Sequence, residues 1–455
     1  MKVCKFGGSS VASAEQILKV LDIVRLDADR RVVVVSAPGK RSKEDTKVTD
    51  LLIACAEDAL AGRDPAENVG RVVARYAEIR EALGLDEALV GFARDELGRR
   101  LSADRSHPGA FADAVKALGE ELSARFCAAA FAARGLKAVY LDPKDAGMVL
   151  SDEFGAAQLL PDSYAKLRAA LAAHEREVVV FPGFFGYTAD GRIATFSRGG
   201  SDITGAILAA AAGAAVYENF TDVDAVYPID PRLVPEAAGR PGIAEMTYAE
   251  MRELSYAGFG VFHDEAVMPA IQANIPINIR NTNHPDEPGT MVLPARRTVP
   301  GRVNGIASSK GFGALFVEKW LMNREVGFLA RLLSILAREG VSVEMIPAGV
   351  DSVTVVFRDE CFSHEDVKER VLAAVREELR PDKLEYVSGL AFLCVVGEGM
   401  KMTVGTCLRV VSALSKAGVN LQIINQGSSE ISIMFGIREA DLQPATVALY
   451  REFFG

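Results

Sequence analysis

Two segments with paired glycines carry the residues best suited to chemistry. One of them, residues 197–204, reads Ser-Arg-Gly-Gly-Ser-Asp-Ile-Thr and precedes an alanine-rich run that extends to Gly213. Adjacent glycines let backbone N–H groups approach an anion closely, and a helix that begins beneath them favours negative charge. Arg198, Ser201 and Asp202 place a guanidinium, a hydroxyl and a carboxylate in this loop. The combination suits a site that holds a carboxylate or a phosphate during a reaction.

The other segment, residues 5–10, reads Lys-Phe-Gly-Gly-Ser-Ser and lies between a predicted strand and a helical pattern. Its spacing is not that of a Walker A loop, so no P-loop fold is implied. Lys5, beside Gly7, Gly8 and Ser9, lies at a strand's carboxyl end, where open α/β sheets bind ligands and an ammonium could neutralise a phosphoryl group. A solvated surface lysine is the alternative interpretation. Two anion loops in one domain favour two anionic reactants, and phosphoryl transfer from a nucleotide is the simplest such reaction.

A third polar segment, residues 221–232, contains acids, a tyrosine and an arginine around two prolines. Its functional interpretation is a nucleotide site with Tyr227 against the base and Arg232 near phosphate. An irregular surface loop stabilised by Asp and Pro is an equally good interpretation of the segment in isolation.

The region after the predicted strand 32–35 supplies further candidates. Ser36 follows the strand directly, and the basic run 40–47 is predicted to be a loop over the site, either solvated or in contact with phosphate. A helix then begins with Thr49 in its first turn. Glu120 lies in another helical pattern, where nothing local separates it from a surface charge. The five histidines share no spacing, so we predict no metal or histidine-base site.

Length and composition set bounds on the protein. The 455 residues are too many for one core and indicate two or three domains. A net charge of −10 argues against binding to nucleic acid or to an anionic membrane. The six cysteines show no disulfide or metal spacing, and no apolar run approaches the roughly 18 residues that span a bilayer. The chain enters a strand at once, without a signal peptide, so we expect a soluble cytoplasmic protein.

Strand-like and helix-like segments alternate over the first 295 or so residues. The valine-rich runs 32–35 and 178–181 are apolar on both faces, as buried parallel strands are, and helical patterns such as 67–83 and 113–134 lie between them. The pattern predicts an α/β fold with a mainly parallel sheet covered on both faces. A polar, proline-containing stretch at 281–300 marks the expected domain boundary.

The rest of the chain contains an internal repeat with a shift of 78 residues. Residues 327–336 align with 405–414, and the match continues without a gap through Phe357 and Phe435. Each copy is predicted to form a helix that ends at a glycine, then a strand, a turn and a second strand. A period this long, present twice, indicates a duplicated α+β module.

Taken together, these features resemble the aspartokinases, a family that joins an amino-acid-kinase domain to a tandem pair of ACT domains. The resemblance rests on residues 5–10, 197–202 and 221–232, and on Gly-Ser-Ser-Glu-Ile-Ser at 427–432. It extends over essentially the whole chain, and the duplicated module narrows the match to this family.

The resemblance implies three domains. An amino-acid-kinase α/β sandwich would occupy residues 1–298, and two α+β ACT-type modules of βαββαβ character would occupy 313–385 and 386–455. An interleaved arrangement of the modules, with strand 303–311 contributed across them, is left open. The modules would also form a homodimer or a dimer of dimers.

The implied reaction transfers the γ-phosphoryl group of ATP, with Mg²⁺, to the side-chain carboxylate of L-aspartate. The product is 4-phospho-L-aspartate, and the reaction is the first step toward lysine, threonine and methionine. A carboxylate is already a nucleophile, so catalysis rests on positioning and charge neutralisation. The implied catalytic residues are Lys5 and Asp202. The implied aspartate-binding residues are Ser36, Thr49, Glu120 (on the ammonium), Arg198 (on a carboxylate) and Ser201, and the implied ATP-binding residues are Lys5, Gly7, Gly8, Ser9, Thr221, Asp222, Tyr227 and Arg232.

One segment departs from the family pattern. The family often has Gly-Ala-Lys-Val-Leu-His-Pro near the nucleotide, whereas residues 258–264 read Gly-Phe-Gly-Val-Phe-His-Asp, with Gly260 in place of the lysine. The chain must do without that cation or supply one from the basic run 40–47. Two alternatives stay open: a related kinase acting on glutamate, acetylglutamate or UMP, and a non-catalytic amino-acid sensor.

Feedback inhibition by an end product, L-lysine in preference to threonine, is the remaining expectation. Glu325 and Glu344 of the first module would favour an ε-ammonium, whereas the second copy has the uncharged Thr403 and Gln422. Both glutamates could instead be solvated surface charges. The predicted effector-binding residues, at the glycine that begins the helix and along an expected strand 342–344, are Met322, Glu325, Gly327, Phe328, Leu329, Ser342, Val343 and Glu344.

Overall fold

The computed structural model describes residues 1–237, 239–259 and 264–455. Within these residues two units each have their own sheet and apolar core. The first comprises Met1–Val226, Gly242–Tyr248 and Val261–Arg296, and the second comprises Tyr227–Pro241, Ala249–Gly260 and Arg297–Gly455. None of the described helices has the length and apolar character that crossing a bilayer requires.

Strands and helices alternate through the part of the chain before residue 300. The strands are β1 Lys2–Phe6, β2 Arg30–Val35, β3 Ala138–Tyr140, β4 Val149–Leu150, β5 Val178–Pro182, β6 Phe185–Thr188, β7 Ile193–Thr195, β8 Val216–Thr221, β9 Glu245–Thr247, β10 Ile277–Asn281 and β11 Thr290–Leu293. The helices are α1 Ala14–Arg25, α2 Val48–Leu60, α3 Ala66–Leu83, α4 Ala88–Leu101, α5 Pro108–Ala133, α6 Ser163–Ala173, α7 Gly200–Ala212, α8 Tyr248–Tyr256 and α9 Met268–Gln272.

The main sheet of the first unit has the described strand order β3-β5-β2-β1-β8-β10-β11-β9. Neighbours from β3 to β10 are parallel, and only the β10–β11 pair in this order is antiparallel. The predicted mainly parallel sheet is therefore confirmed. Its central strands β2 and β5 are the valine-rich runs, buried as strands covered on both faces must be.

The alternation of side chains along β1 decides which of them reach the site. Cys4 and Phe6 belong to the core formed with α1 and α5 on one face of the sheet. Lys5 therefore points to the opposite face, which α7 covers. Tyr217 of β8 lies on that same face, since a Cβ atom at Gly205 of α7 would lie 2.6 Å from its hydroxyl. Helices on both faces confirm the expected α/β sandwich.

The second unit contains the duplicated region. Its later elements are β12 Gly305–Glu318, α10 Phe328–Arg338, β13 Ser352–Arg358, α11 Glu365–Leu379, β14 Lys383–Val396, α12 Thr406–Lys416, β15 Ile423–Asn425, β16 Ser432–Arg438 and α13 Leu442–Phe453. The strands form one antiparallel sheet in the order β13-β12-β14-β16-β15. Helices α10 and α12 are related by the 78-residue shift, and each is followed by a left-handed glycine, Gly340 or Gly418. The repeated helix is therefore confirmed.

The strand expected at residues 342–344 of the first copy is wrong. These residues belong to no strand, and only single bridges, from Met345 to Val356 and from Ala348 to Val353, follow them. Under the repeat, Pro347 takes the place of Asn425 in β15. The matching residues of the second copy, 420–422, also precede β15 without belonging to a strand, so the strand of each copy is expected later, at 345–347 and 423–425. Because proline has no N–H group to donate, Pro347 interrupts that later ladder in the first copy.

The expected module boundaries at residues 313 and 386 fall inside the long strands β12 and β14. Strand β12 pairs with β13 only through residues 312–318, and β14 pairs with β16 only through residues 390–396. We propose that the two modules share these two strands, each taking one half of both. Such sharing corresponds to the interleaved arrangement.

Candidate active site

A buried lysine–aspartate pair forms the centre of the candidate site in the first unit. The side chain of Lys5 faces α7, and its residue is only 8% exposed. Its Nζ atom lies 2.7 Å from Oδ1 of Asp202, which belongs to the first turn of α7. A Cβ atom at Gly7 would lie 3.6 Å from the same Nζ atom. The structure thus brings two of the predicted residues together at the glycine loop.

Asp202 has a further partner that the sequence did not indicate. The side chain of Asn219 donates to the same Oδ1 atom over 2.6 Å, and the Tyr217 hydroxyl donates to the main-chain oxygen of Asp202 over 3.2 Å. Both partners lie on β8, where Asn219 is in register with Lys5 of β1. Asn219 was visible in the sequence of this strand, but its position beside Lys5 depends on strand order.

The glycine loop is packed tightly against the loop that follows β2. Gly39 N donates to Gly8 O over 2.8 Å. A Cβ atom at Gly8 would lie 2.9 Å from Ala37 O, and one at Gly39 would lie 2.7 Å from the carbonyl carbon of Gly8. Neither position therefore accepts a side chain without a shift of the backbone. Glycine at positions 8 and 39 is therefore needed for this approach of the two loops.

The second glycine pair begins α7. Gly199 adopts φ 81° at the helix start, a conformation that favours glycine. Ser201 is buried, and a Cβ atom at Gly183 would lie 2.5 Å from its Oγ atom. Arg198 is exposed and has no hydrogen-bond or ion-pair partner among the residues that the structure describes. Its guanidinium is therefore available to an anionic ligand.

Glu120 is a buried carboxyl group with unused hydrogen-bonding capacity. It lies on α5, is 4% exposed and accepts from the backbone of Ala37, while its Oε2 atom has no partner within the described part of the chain. Burial raises the pKa of Glu120 to about 8. Such a group gains from the arrival of a cation, since an unpaired buried carboxylate is costly.

Ser36 and Thr49 lie close to this carboxyl group. The neighbouring Gly119 packs so closely that a Cβ atom there would lie 2.8 Å from the Cβ atom of Ala37 and 3.6 Å from a methyl group of Val48. Ser36 and Thr49 adjoin Ala37 and Val48 in the chain, and both are half-buried. The structure therefore gathers these predicted aspartate-binding residues at the end of β2 and the start of α2.

Part of the predicted ATP site lies at the same sheet edge. Thr282 N donates to Thr221 O over 3.0 Å, and the hydroxyl of Thr282 is 2.7 Å from that of Ser10 in the glycine loop. Asp222 is exposed and accepts from the Thr221 hydroxyl. Thr221 is thus connected to the glycine loop through Thr282, which sequence reasoning missed.

The other nucleotide candidates belong to the second unit or fall outside the described residues. Tyr227 and Arg232 belong to the second unit, where Arg232 is exposed and pairs with Asp230 over 2.8 Å. Their contact with a nucleotide stays a prediction. Gly260, the position of the missing lysine, lies outside the described residues.

Three further polar side chains lie at or just after the ends of β8 and β10. Asn281 donates to Asp224 over 2.7 Å, and Nδ1 of His284 lies 2.6 Å from the same carboxylate oxygen. The hydrogen bond from His284 lowers the pKa of Asp224. Their position after the ends of two strands was a signal that could have found them. The described residues contain no group of three or more His, Cys, Asp or Glu that could hold a metal ion.

The predicted effector residues lie in the second unit. Gly327 precedes α10 with φ 80°, Met322 and Phe328 are buried, Val343 is half-buried, and Leu329 and Ser342 are exposed. Glu325 pairs with Lys319 over 2.6 Å and with Arg331. These two bonds lower the pKa of Glu325.

Glu344 is also paired. Its carboxylate lies 3.5 Å from Nε of Arg358 and accepts from the hydroxyl of Tyr256, at the end of α8. Both glutamates expected to meet an ammonium therefore already contact donors of the second unit.

Comparisons with known proteins agree with this geometry. The family model described as "Amino acid kinase family" matches residues 1–281, and one described as "ACT domain" matches residues 393–453. Aspartokinase 3 of Bacillus subtilis (strain 168) is 50% identical over 456 residues, which cover 100% of this chain and 99% of that protein. Lysine-sensitive aspartokinase 3 of Escherichia coli (strain K12) is 29% identical, with 99% of each chain covered.

Solved structures extend the comparison to the whole fold. The crystal structure of Clostridium acetobutylicum aspartate kinase has a TM-score of 0.85 and 35% identity, with 99% of each chain covered. E. coli aspartokinase III in complex with aspartate and ADP (R-state) has a TM-score of 0.78 and 27% identity, with 100% of each chain covered. The same enzyme in complex with lysine and aspartate (T-state) has a TM-score of 0.77 and 28% identity, again over 100% of each chain.

The family model that matches residues 1–281 and the relative that is 50% identical over the full chain show that the chain belongs to the amino acid kinase family. Within that family it is an aspartate kinase, an enzyme that phosphorylates aspartate with ATP under allosteric regulation. The alternatives of a related kinase with another acceptor and of a non-catalytic sensor are set aside.

Proposed function

We propose that the catalytic centre of this aspartate kinase is the Lys5–Asp202 pair together with the glycine loop. The observation that carries the proposal is the burial of Lys5 against Asp202 directly beside Gly7. The N–H groups of Gly7, Gly8 and Ser9 would hold ATP phosphates, and Lys5 would neutralise charge that develops on the transferring group. Thr221 and Asp222 would contact the nucleotide from the neighbouring strand.

The acceptor would be held by groups of opposite charge. Glu120 would receive the substrate ammonium, because its unpartnered oxygen is buried and has no other cation. Arg198 would clamp a carboxylate, a task that suits a guanidinium fork. Ser36, Thr49 and Ser201 would complete the pocket. The β-carboxylate needs no general base, so the site has only to place it in line with the phosphoryl group.

The residues present fit a magnesium ion that travels with ATP. Lys5 and Asn219 both contact Oδ1 of Asp202, and Oδ2 has no partner among the described residues. Magnesium usually keeps several waters and takes one or two carboxylates besides phosphate oxygens, so a three-ligand cluster is not required. When bound, the ion would neutralise charge on the phosphates and the leaving ADP.

The acceptor assignment is tested by coupled ATP turnover with aspartate, glutamate, acetylglutamate or no acceptor. We expect ADP formation that depends on aspartate and on Mg²⁺. Turnover that ignores aspartate and follows another acceptor would contradict the assigned pocket.

We further propose that L-lysine binds beside Gly327 in the first ACT module. Two glutamates flank this helix start, and each is now paired with a cationic side chain or a hydroxyl that a ligand ammonium could replace. The second module has Thr403 and Gln422 in their places and lacks this charge. Threonine, with no cationic side chain, would gain nothing from the glutamates.

The ACT modules would also form a dimer interface. Val326 and Val404, related by the repeat, are each 100% exposed just before their helices. Analytical ultracentrifugation of the wild type and of Val326→Asp would test this assembly, and a monomeric wild type would exclude it.

A further inference from the structure

A buried arginine on α3 is bonded entirely to the loop that follows β2. Arg75 is 5% exposed. Its Nη1 atom donates to Gly39 O over 3.0 Å, and its Nη2 atom donates to both carboxylate oxygens of Asp45, each over 2.6 Å, and to Thr46 O over 3.4 Å. A buried guanidinium is costly unless its donors are paired, and here the partners all lie in residues 39–46.

Asp45 is the anionic centre of this loop. Besides Arg75, it accepts from the backbone N–H and the Nε atom of Arg41, over 2.9 and 3.0 Å. Burial would raise the pKa of Asp45, but the hydrogen bonds from Arg41 and the charge of Arg75 hold it well below its ordinary value. The carboxylate therefore stays ionised and keeps both arginines in place at neutral pH.

The loop is joined directly to the glycine loop of the site. Gly39, which accepts from Arg75, donates through its own N–H group to Gly8 O over 2.8 Å. The two glycines approach so closely that neither accepts a Cβ atom without a backbone shift. A displacement of Gly39 would therefore move Gly8, which lies between two residues assigned to the phosphates.

The same loop carries three lysines. Lys40, Lys43 and Lys47 are exposed and form no ion pair with any described residue. The bonds from Arg75 and Arg41 fix the backbone from which these cations project. The basic run thus lies beside the glycine loop, with its backbone bonded to Arg75 at both ends.

We infer that Arg75 is a positioning residue for phosphoryl transfer, acting through Gly39 on the phosphate-binding loop and through Asp45 on the lysine-bearing loop. The inference rests on the proposed assignment of residues 7–9 to the phosphates of ATP. Ser36 donates through its N–H group to Phe6 O over 3.2 Å and Thr49 lies in the first turn of α2, so neither residue assigned to aspartate is a direct partner of Arg75. The effect of Arg75 should therefore fall on ATP more than on aspartate.

Steady-state kinetics of Arg75→Lys test the inference. A single ammonium keeps the charge but cannot bond to both Gly39 O and the Asp45 carboxylate. We expect KM for MgATP to rise about tenfold, with KM for aspartate changed less than about threefold. Calorimetric titration of ADP into the enzyme without aspartate should show the same loss of affinity. Arg63→Lys, an exposed arginine that pairs with Asp58, is the matched control and should leave both values unchanged.

Two more variants make the test independent of the stability of Arg75→Lys. Asp45→Asn removes the anionic partner, and the double variant should be no worse than the more severe single one, since the two residues act as a unit. Gly39→Ala leaves Arg75 untouched but disturbs the approach to Gly8, so it should raise KM for MgATP as well.

The outcomes separate this inference from the proposed site. A lower melting temperature with unchanged KM values in Arg75→Lys and Asp45→Asn would show a purely structural role and overturn the inference. If Lys5→Ala is inactive in that case, the site assignment stands. If Lys5→Ala is fully active, the site itself lies elsewhere and both proposals fail.

Discussion

Helices α7 and α10 begin in the same way and are held differently. Each follows a left-handed glycine, Gly199 with φ 81° or Gly327 with φ 80°. At the start of α7, the carboxylate of Asp202 is largely buried against a lysine and an amide. At the start of α10, the side chain of Glu325 is partly exposed, at 31%, and pairs with two cations of its own unit. A left-handed glycine therefore precedes a largely buried site at α7 and a more accessible one at α10.

The difference matches what each helix start is proposed to do. Phosphoryl transfer gains from charges that are fixed before the substrate arrives, because little reorganisation is then needed in the transition state. An effector site has to exchange one set of partners for another, and exposed ion pairs cost little to break. Substitutions at the first site should therefore change rates strongly, whereas those at the second should change affinity modestly.

The largest effect is expected for Lys5→Ala. Loss of one preorganised charge contact should lower kcat by roughly 10²-fold or more. Aspartate binding should change little, and Asp202→Asn should follow the same pattern. The control is Lys2→Ala on the same strand, a residue that pairs with Asp27 away from the site. If Lys5→Ala turned over at the wild-type rate, the proposed catalytic role of the start of α7 would be wrong.

The next effect concerns Glu120 and its pH dependence. Because burial raises its pKa to about 8, the group is mostly neutral at pH 7 and must release a proton to bind an ammonium. KM for aspartate should fall about tenfold per pH unit as the pH rises toward this pKa, while KM for MgATP stays level.

The matching variant is Glu120→Gln. It should raise KM for aspartate about 10- to 100-fold, on the scale of a lost charge-assisted hydrogen bond, and abolish the pH dependence below pH 8. A pH profile that is the same in the variant and the wild type would contradict the assigned role.

Arg198→Lys should have a smaller effect, on KM for aspartate. An ammonium replaces a two-pronged fork, so we expect a rise of about fivefold to tenfold with kcat nearly unchanged. The side chain is exposed and unpartnered among the described residues, so the melting temperature should stay the same. A kcat loss as large as that of Lys5→Ala would instead indicate that Arg198 contacts the transferring phosphoryl group.

The smallest effect is expected at the first ACT module. Calorimetric titration of lysine should show about threefold to fivefold weaker binding to Glu344→Gln, because a single ion pair that is partly open to solvent contributes little. Gln422→Glu, at the repeat-related position, should leave the first-module affinity unchanged. Unchanged lysine affinity in Glu344→Gln, or inhibition by threonine alone, would overturn the effector assignment.

Local sequence was sufficient to predict strands, helices and site loops wherever a pattern is repeated or a residue type serves few structural roles. The valine runs predicted β2 and β5, the 78-residue repeat predicted the matched helices α10 and α12, and two glycine pairs marked the candidate site. Helix α5 begins five residues before its predicted start, because His107 accepts from Ala110 N and proline occupies the first helical position.

The contact partners of the site side chains could be identified only from the fold. Asn219 reaches Asp202 because β8 pairs with β1 in one register, and Arg75 reaches Gly39 because α3 packs over the loop after β2. Neither contact follows from spacing along the chain, since the partners lie 17 and 36 residues apart. The segment 342–344 shows that a local pattern can also mislead, since neither it nor the repeat-related segment 420–422 forms a strand.

By itself the sequence determined the residue types, the two glycine pairs and the order of strands and helices, because hydrophobic period and backbone freedom are local properties. Only the tertiary structure decided that Lys5 and Glu120 are buried, that Glu325 is half-buried and that Arg198 is exposed. Burial depends on which faces pack together, and it sets the cost of leaving a charge unpaired. Because of that cost, a lysine or a glutamate that looks like a surface residue in the sequence becomes a candidate catalytic or binding residue once it is found to be buried.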